Sequence, residues 1–430
     1  MKFLLAKSRN NWCEDCCDGI STGLSPLLYQ TGTYLRREGL EVTISEYDES
    51  PGDQLEGHDG IILFVSLAAL DENLPFLRDA KERGLSTILV LHDSFSAEEE
   101  LMREFDFIDY CVIYPEREIV LKELLLKLQA HQSDDVPGTV VRKNGRPFSN
   151  GPGPASSNLK HLSSCSEVLS PILHQHPYTH AYLTVGRGCP HGCSFCDIRR
   201  TPSRKRDPQD IIDELSLFHK LGRLRRGISF IDPLFSADQG WTETLCEGLM
   251  SKKIETTWRS TTRYDALPEN SLLRLWKRVG CIKMGLGLEH LHSPMLKKVD
   301  LERFREAVKR LQDVSILPII SVIIGLWEDD SHALSELEDY LLSLGEIEVV
   351  ATPLMPLRGT PLYDNYRERG LIKELSFRDY QKWGYAKVML PTQFLSKEEV
   401  AGWLVRLNRL NTRSWRGWFQ RRLVPLLAGS

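Results

Sequence analysis

The segment GRGCPHGCSFCDIRR, residues 186–200, sets three cysteines, Cys189, Cys193 and Cys196, within eight residues. Three thiolates at this spacing can hold three irons of a four-iron four-sulfur cluster and leave the fourth iron open. A structural zinc site instead takes four closed ligands, usually as two separated Cys-x-x-Cys pairs. His191 could supply a fourth ligand, so zinc stays an alternative at this point. The two sites differ in consequence: a closed site builds structure, whereas an open iron is completed by an outside molecule and is a catalytic arrangement.

The 430 residues leave room for two domains with cores of ordinary size. A hydrophobic content of 41% and a charged content of 26% are those of a soluble globular protein. A net charge of −5 gives no global basic field, so nucleic acid is not expected as the main partner. The N-terminal MKFLLAKSRNNW has an apolar run too short for a signal-peptide core, and nowhere do about 18 apolar residues run together. A cytoplasmic protein without stable membrane insertion is the expectation. In that reducing compartment the ten cysteines are not read as a disulfide framework, and closely spaced ones suit metal ligands or catalytic thiols.

Two series of alternating elements must position these groups. In the first, apolar runs KFLLA, EVTISEYD, IILFVSL, STILVLHD and YCVIY alternate with helical patterns such as SPLLYQTGTYLRREG, LPFLRDAKERG and EIVLKELLLKLQ. This pattern predicts a doubly wound, Rossmann-like parallel sheet over residues 1–130. Residues 131–175 read as a linker rich in Gly, Pro, Ser and Asn, with a small hairpin at VVRKNGR. Over 176–390 the runs AYLTV, RRGISFID, TTWRSTT, CIKMGLGLE, LPIISVIIGL and IEVVATPL alternate with helices, as in a partial (βα)6 barrel. The fold class is therefore α/β. The cysteine segment follows the first barrel strand, at the edge where such folds carry their sites. The tail, 391–430, is expected to be helical. It sets Trp403, Trp415 and Trp418 among Arg406, Arg409, Arg413, Arg416, Arg421 and Arg422. Packing on the barrel is its first reading, and lying on a membrane surface or on RNA the second.

Cys-x-x-x-Cys-x-x-Cys after the first strand of a partial barrel resembles the radical S-adenosylmethionine enzymes. The resemblance implies that the open iron chelates the amino and carboxylate groups of S-adenosyl-L-methionine. It implies too that the reduced cluster cleaves the sulfonium to a 5′-deoxyadenosyl radical, which takes a hydrogen atom from substrate. Phe195 matches the family's aromatic near the adenine. Ile231 and Asp232 end the second strand, where the family's amino-group motif falls without its usual Gly-Gly-Glu wording. GLGLEH places Glu289 where the Gly-x-Glu-Ser acid lies near the cofactor, with His290 in place of Ser. SVIIGLWE reproduces the adenine motif as Ser321, Ile323, Gly325 and Glu328, with the first glycine changed. TPLMPLRGTPLYD matches the sixth-strand segment. Arg263, ending the third strand, is a candidate for the cofactor carboxylate because its fork can hold two oxygens, and equally a structural ion-pair partner. Singly, each motif is also an ordinary strand end; their order and spacing after the cysteines tie them together.

A doubly wound domain before such a barrel resembles the cobalamin-binding branch of the family. There cobalamin sits between the domains, takes a methyl group from one S-adenosylmethionine and delivers it to a substrate radical made by another. STGLSPLLYQTGTYLRREGLEVTISEYD resembles the branch's first loop, helix and second strand, and EREIVLKELL its closing Gly-Glu-x-Glu segment, with Pro115 for Gly and Glu116 and Glu118 kept. Two departures bear on cobalamin: no Asp-x-His-x-x-Gly is present, and the usual Gly-Gly after the fourth strand reads His92-Asp93. Cys13, Cys16 and Cys17 form a second thiol group matching no ligand pattern, and are read as incidental ahead of a second iron-sulfur site.

The resemblance implies a cobalamin-dependent C-methyltransferase acting on a small molecule or peptide, with a low-potential electron donor such as flavodoxin or ferredoxin. A cobalamin-independent dehydratase, dehydrogenase or rearrangement enzyme is the alternative. A non-catalytic zinc or nucleic-acid-binding protein is the remote one.

Overall fold

The computed structural model describes residues 1–8, 23–24, 26–47, 52–91, 97–113, 116–163, 180–222, 224, 227–293, 295–296, 299–383 and 387–410. Cys13, Cys16, Cys17, His92, Asp93, Pro115 and the tail beyond 410 lie outside them. The chain divides into two compact units, Met1–Tyr178 with Glu374–Lys382, and Thr179–Lys373 with Trp383–Ser430. Among the described residues no helix is long and apolar enough to cross a membrane.

In the first unit, strands β1 (Lys2–Ser8), β2 (Glu41–Tyr47), β3 (Gly60–Val65), β4 (Ser86–Leu91) and β5 (Tyr110–Val112) alternate with helices α1 (Pro26–Arg37), α2 (Leu70–Glu82), α3 (Glu98–Glu104) and α4 (Arg117–Gln129). Their parallel order, β2-β1-β3-β4-β5, is that of a doubly wound sheet. All six residues of β3 are buried, as a parallel strand covered on both faces requires. The hairpin expected at VVRKNGR forms as β6 (Thr139–Lys143) and β7 (Arg146–Ser149), turned by the tight-turn pair Asn144 and Gly145, and it extends this sheet antiparallel to β5. The core gathers Leu5, Ile62, Ile88 and Val112 against Leu28 of α1 and Leu121 and Leu124 of α4.

In the second unit six parallel strands follow one another in space as in sequence: β8 (His180–Thr184), β11 (Gly227–Ile231), β12 (Trp258–Thr262), β13 (Cys281–Glu289), β14 (Leu317–Ile324) and β15 (Glu348–Pro353). Between β8 and β11 lie the short strands β9 (Gly186–Arg187) and β10 (Arg204–Lys205) and helix α5 (Pro208–Lys220). The other crossovers carry α6 (Gln239–Ser251), α7 (Asn270–Arg278), α8 (Leu301–Asp313) and α9 (Ser331–Ser343); α10 (Pro361–Glu368) follows β15. This is the expected partial barrel. Along β14 burial alternates, with Pro318, Ile320, Val322 and Ile324 buried under the helices while Leu317, Ile319, Ser321 and Ile323 line the concave side. Across the lower concave side runs a polar row: the Ser229 hydroxyl bonds His180 Nε2 at 2.9 Å and accepts from Arg259 Nε at 2.7 Å, and Lys283 pairs with Glu348. Phe235, Trp258 and Trp276 pack behind β11 and β12 with ring centroids 5.3–6.0 Å apart, each contact adding about 0.5–1.5 kcal/mol beyond simple burial.

After α11 (Phe377–Trp383), helix α12 (Lys397–Asn408) packs on the barrel, as first expected for this part of the tail. Val400, Leu404 and Leu407 are buried, and the Asn408 amide donates to the Ala351 carbonyl and accepts its N–H, each at 3.0 Å, so it covers the edge strand β15.

Candidate metal centre

The cysteine loop is built on a clasp. β9 and β10 pair antiparallel, Gly186 opposite Lys205 and Arg187 opposite Arg204, which closes residues 188–203 into a loop at the end of β8. Arg206 fastens the base: its N–H donates to Val185 O at 2.9 Å, and its guanidinium donates to Thr184 O at 3.2 Å and to the buried Glu214 carboxylate at 2.7 Å. Within the loop the Thr201 hydroxyl accepts the Cys189 N–H at 2.9 Å and donates to Ile198 O at 2.6 Å, while Thr201 N–H returns to Cys189 O at 2.9 Å. Gly188 sits at φ +84°, and a Cβ there would meet Pro202 O at 2.0 Å. Only glycine fits that turn.

None of the three cysteines is in a disulfide, and all are half-buried. Burial, then the charge of Asp197, with the other two cysteines adding, pushes the Cys196 thiol up to about 12. A thiol that resists ionising by itself suits a multiply charged metal centre, whose binding expels the proton. Three thiols are the ligand set that leaves the fourth iron of a four-iron cluster open, whereas a structural zinc site takes four closed ligands. The donor set and spacing therefore fit an iron-sulfur cluster better than zinc. Two further loops hold the segment: the Ser194 hydroxyl donates to Met295 O, and Leu362 N–H, opening α10, donates to Ser194 O at 3.0 Å.

The other sequence-selected residues lie at the same strand ends. Phe195, inside the loop, is half-buried. Asp232 follows β11 and is buried, holding Leu234 N–H at 2.8 Å and the Lys205 ammonium, which also donates to Leu234 O at 2.8 Å. Burial raises the Asp232 carboxyl while Lys205 pulls it down, with a net upward shift. A Cβ on Gly186 would strike Asp232 Oδ2 at 2.0 Å, so the clasp and this pair need that glycine. Arg263 follows β12 and forks onto Asp265, Nε to Oδ1 at 2.8 Å. It thus makes the structural pairing in this state.

Glu289 ends β13 at φ +65°, after a register shift that sets Gly287 opposite Ser321 and Glu289 opposite Val322. The bulge re-aims its side chain relative to the strand. His290, in place of the expected Ser, is buried: Nδ1 accepts the N–H groups of His292 and Ser293, both at 3.2 Å, so the proton belongs on Nε2, 3.0 Å from Asp329 Oδ1. Asp329 Oδ2 in turn accepts Gly325 N–H at 2.8 Å and Leu326 N–H at 3.1 Å. The end of β13 is thereby tied to the turn after β14, where Ser321 and Ile323 face the concave side. Glu328 pairs with Arg369 at 2.8 Å. Sequence reasoning missed Lys205, Ser194 and Asp329; no motif marks them, and their partners are far along the chain.

Residues 183–340 match the family model described as Radical SAM superfamily. No curated protein matches the chain. Among solved structures, the radical S-adenosylmethionine methyltransferase TsrM from Kitasatospora setae, with cobalamin and a [4Fe-4S] cluster bound, has a TM-score of 0.70 at 13% identity, over 86% of this chain and 75% of that one. The same enzyme with tryptophan substrate and the analogue aza-SAM has a TM-score of 0.69 at 13% identity, over 87% of this chain and 78% of that one. At this identity the likeness is one of fold, and it spans both units.

Proposed function

We propose that the protein, whose residues 183–340 match the family model described as Radical SAM superfamily, is a radical S-adenosylmethionine enzyme that also uses cobalamin and methylates a carbon of a small molecule. The observation that carries the reading is the fold shared with TsrM over most of the chain, doubly wound unit included. A barrel alone would point to the superfamily; the preceding unit points to its methyl-transferring branch.

When bound, the cluster and S-adenosylmethionine supply one-electron chemistry at carbon, and cobalamin supplies a methyl carrier. The chain's own part is positioning. Cys189, Cys193 and Cys196 would hold three irons, on a loop that the clasp, Ser194 and Leu362 keep in place. Phe195 would offer an apolar face to the adenine, with Ser321 and Ile323 beside it and the turn at Gly325 fixed by Asp329. Glu289 would approach the nucleoside from the end of β13. Asp232 and the carbonyl after it already hold an ammonium, that of Lys205, which is the recognition an amino group needs. Arg263 would take the carboxylate by exchanging Asp265 for it, one fork partner for another. A low-potential donor must supply the electrons.

Anaerobic reconstitution with iron and sulfide, followed by hydroxocobalamin, S-adenosylmethionine and a reductant, tests the reading. Cluster absorbance, corrinoid co-eluting with the chain and formation of S-adenosylhomocysteine are the expected results. Cluster and 5′-deoxyadenosine without corrinoid would replace the methyl-transfer reading with a cobalamin-independent one. A chain that retains no iron would overturn both.

A further inference from the structure

In the first unit, far along the chain from the cysteines, Glu116, Glu118 and His161 bring two carboxylates and an imidazole together. Glu116 caps α4, its carbonyl accepting the N–H groups of Ile119 and Val120, both at 3.1 Å, and Glu118 lies in the helix's first turn. His161 comes from a single turn, Lys160–Leu162, which the Arg37 guanidinium holds through Lys160 O at 3.2 Å and Ser163 O at 3.1 Å. The Tyr34 ring meets the imidazole edge-on.

Relative exposures are 1% for Glu116, 0% for Glu118 and 6% for His161. One donor atom from each lies within 4.8 Å of the others. His161 Nε2 points into the group, 3.4 Å from Glu116 and 3.9 Å from Glu118, and makes no hydrogen bond. A buried imidazole nitrogen left unbonded beside two carboxylates is costly unless something joins them. A tetrahedral zinc ion with bonds of about 2.0–2.1 Å sets its ligand atoms about 3.4 Å apart, close to the separations found. One nitrogen and two carboxylate oxygens are a zinc-type donor set.

We propose that Glu116, Glu118 and His161 bind one divalent cation of the zinc type, which pins the 160–162 turn to the start of α4. The site is independent of the iron-sulfur reading. The test uses the full chain with Cys189, Cys193 and Cys196 replaced by Ser, so that the barrel loop takes up no metal. That protein, and versions further carrying His161→Gln or Glu118→Gln, are dialysed against Zn2+ and their zinc content is measured. The parent is expected to hold one more equivalent than either variant, and Zn2+ to raise its melting temperature but not theirs. Equal zinc contents would overturn the site. Should the variants fail to fold, Co2+ added to the parent decides: tetrahedral d–d bands without sulfur-to-cobalt charge transfer support the site. Charge-transfer bands alone, or no tetrahedral bands, overturn it.

Discussion

Glu289 shows at the scale of one residue how a candidate site departs from local preference. Its φ of +65° is one that a side chain adopts at a cost of order 1–3 kcal/mol, held here by the bulge and by the buried His290 after it. Replacing Glu289 by Gly should therefore leave stability unchanged or raised while lowering the affinity for S-adenosylmethionine about tenfold, equivalent to about 1.4 kcal/mol. Thermal melts and calorimetric titration read the two effects separately, and a loss of stability with unchanged affinity would contradict the assignment. Asp329 is the opposite case, a buried carboxylate that accepts two backbone N–H groups and lies 3.0 Å from the His290 imidazole. Asp329→Ala orphans the Gly325 and Leu326 N–H groups at roughly 1–3 kcal/mol apiece. A markedly lower denaturation midpoint is expected, with Asp329→Asn milder because an amide oxygen can still accept.

At the scale of elements, the clasp under the cysteine loop depends on Lys205 and Asp232, with side chains 9% and 1% exposed. Breaking a buried pair from one side typically costs 3–5 kcal/mol, so Lys205→Met should destabilise by about that much and loosen the grip on iron. The pH dependence follows from the Asp232 carboxyl, which burial raises and Lys205 draws down. Without the lysine it rises further, so the folded state binds a proton that the unfolded state has lost, and stability falls as pH rises through that interval. The variant's deficit should be large at neutral pH and shrink toward the ordinary carboxyl value of 3.8. Urea midpoints across that range measure it, and a pH-independent deficit would refute the coupling. Such pairs explain how far the sequence could be read. Parallel strands joined by crossover helices put their carboxyl ends on one edge, so the chain order of Cys189, Asp232, Arg263, Glu289 and Gly325 becomes an order in space. Lys205 with Asp232, or His290 with Asp329, meet only because whole loops pack, and no periodicity records that.

For the molecule as a whole, the least legible feature is that the first unit is discontinuous in sequence. Residues Glu374–Lys382, which follow the barrel in the chain, belong to it. Phe377 is 3% exposed, with its ring 6.3 Å from that of Phe105 and its N–H donating to Glu100 at 3.0 Å. Arg378 pairs with Asp71 at 2.8 Å and with Glu104, its guanidinium lying over both phenyl rings. A residue more than two hundred positions away thus completes the packing around α3 and sits beside one of its acidic side chains. The ion pairs are partly exposed and add little to stability; the buried ring carries the contact. Truncating it, Phe377→Ala, should cost about 3–5 kcal/mol, and the loss should be local. Native-state hydrogen exchange is expected to show reduced protection in α3, with the amides of β13 and β14 unchanged. Protection lost equally in both units would mean that they unfold as one, and an unchanged α3 would mean that the returning segment adds no stability there.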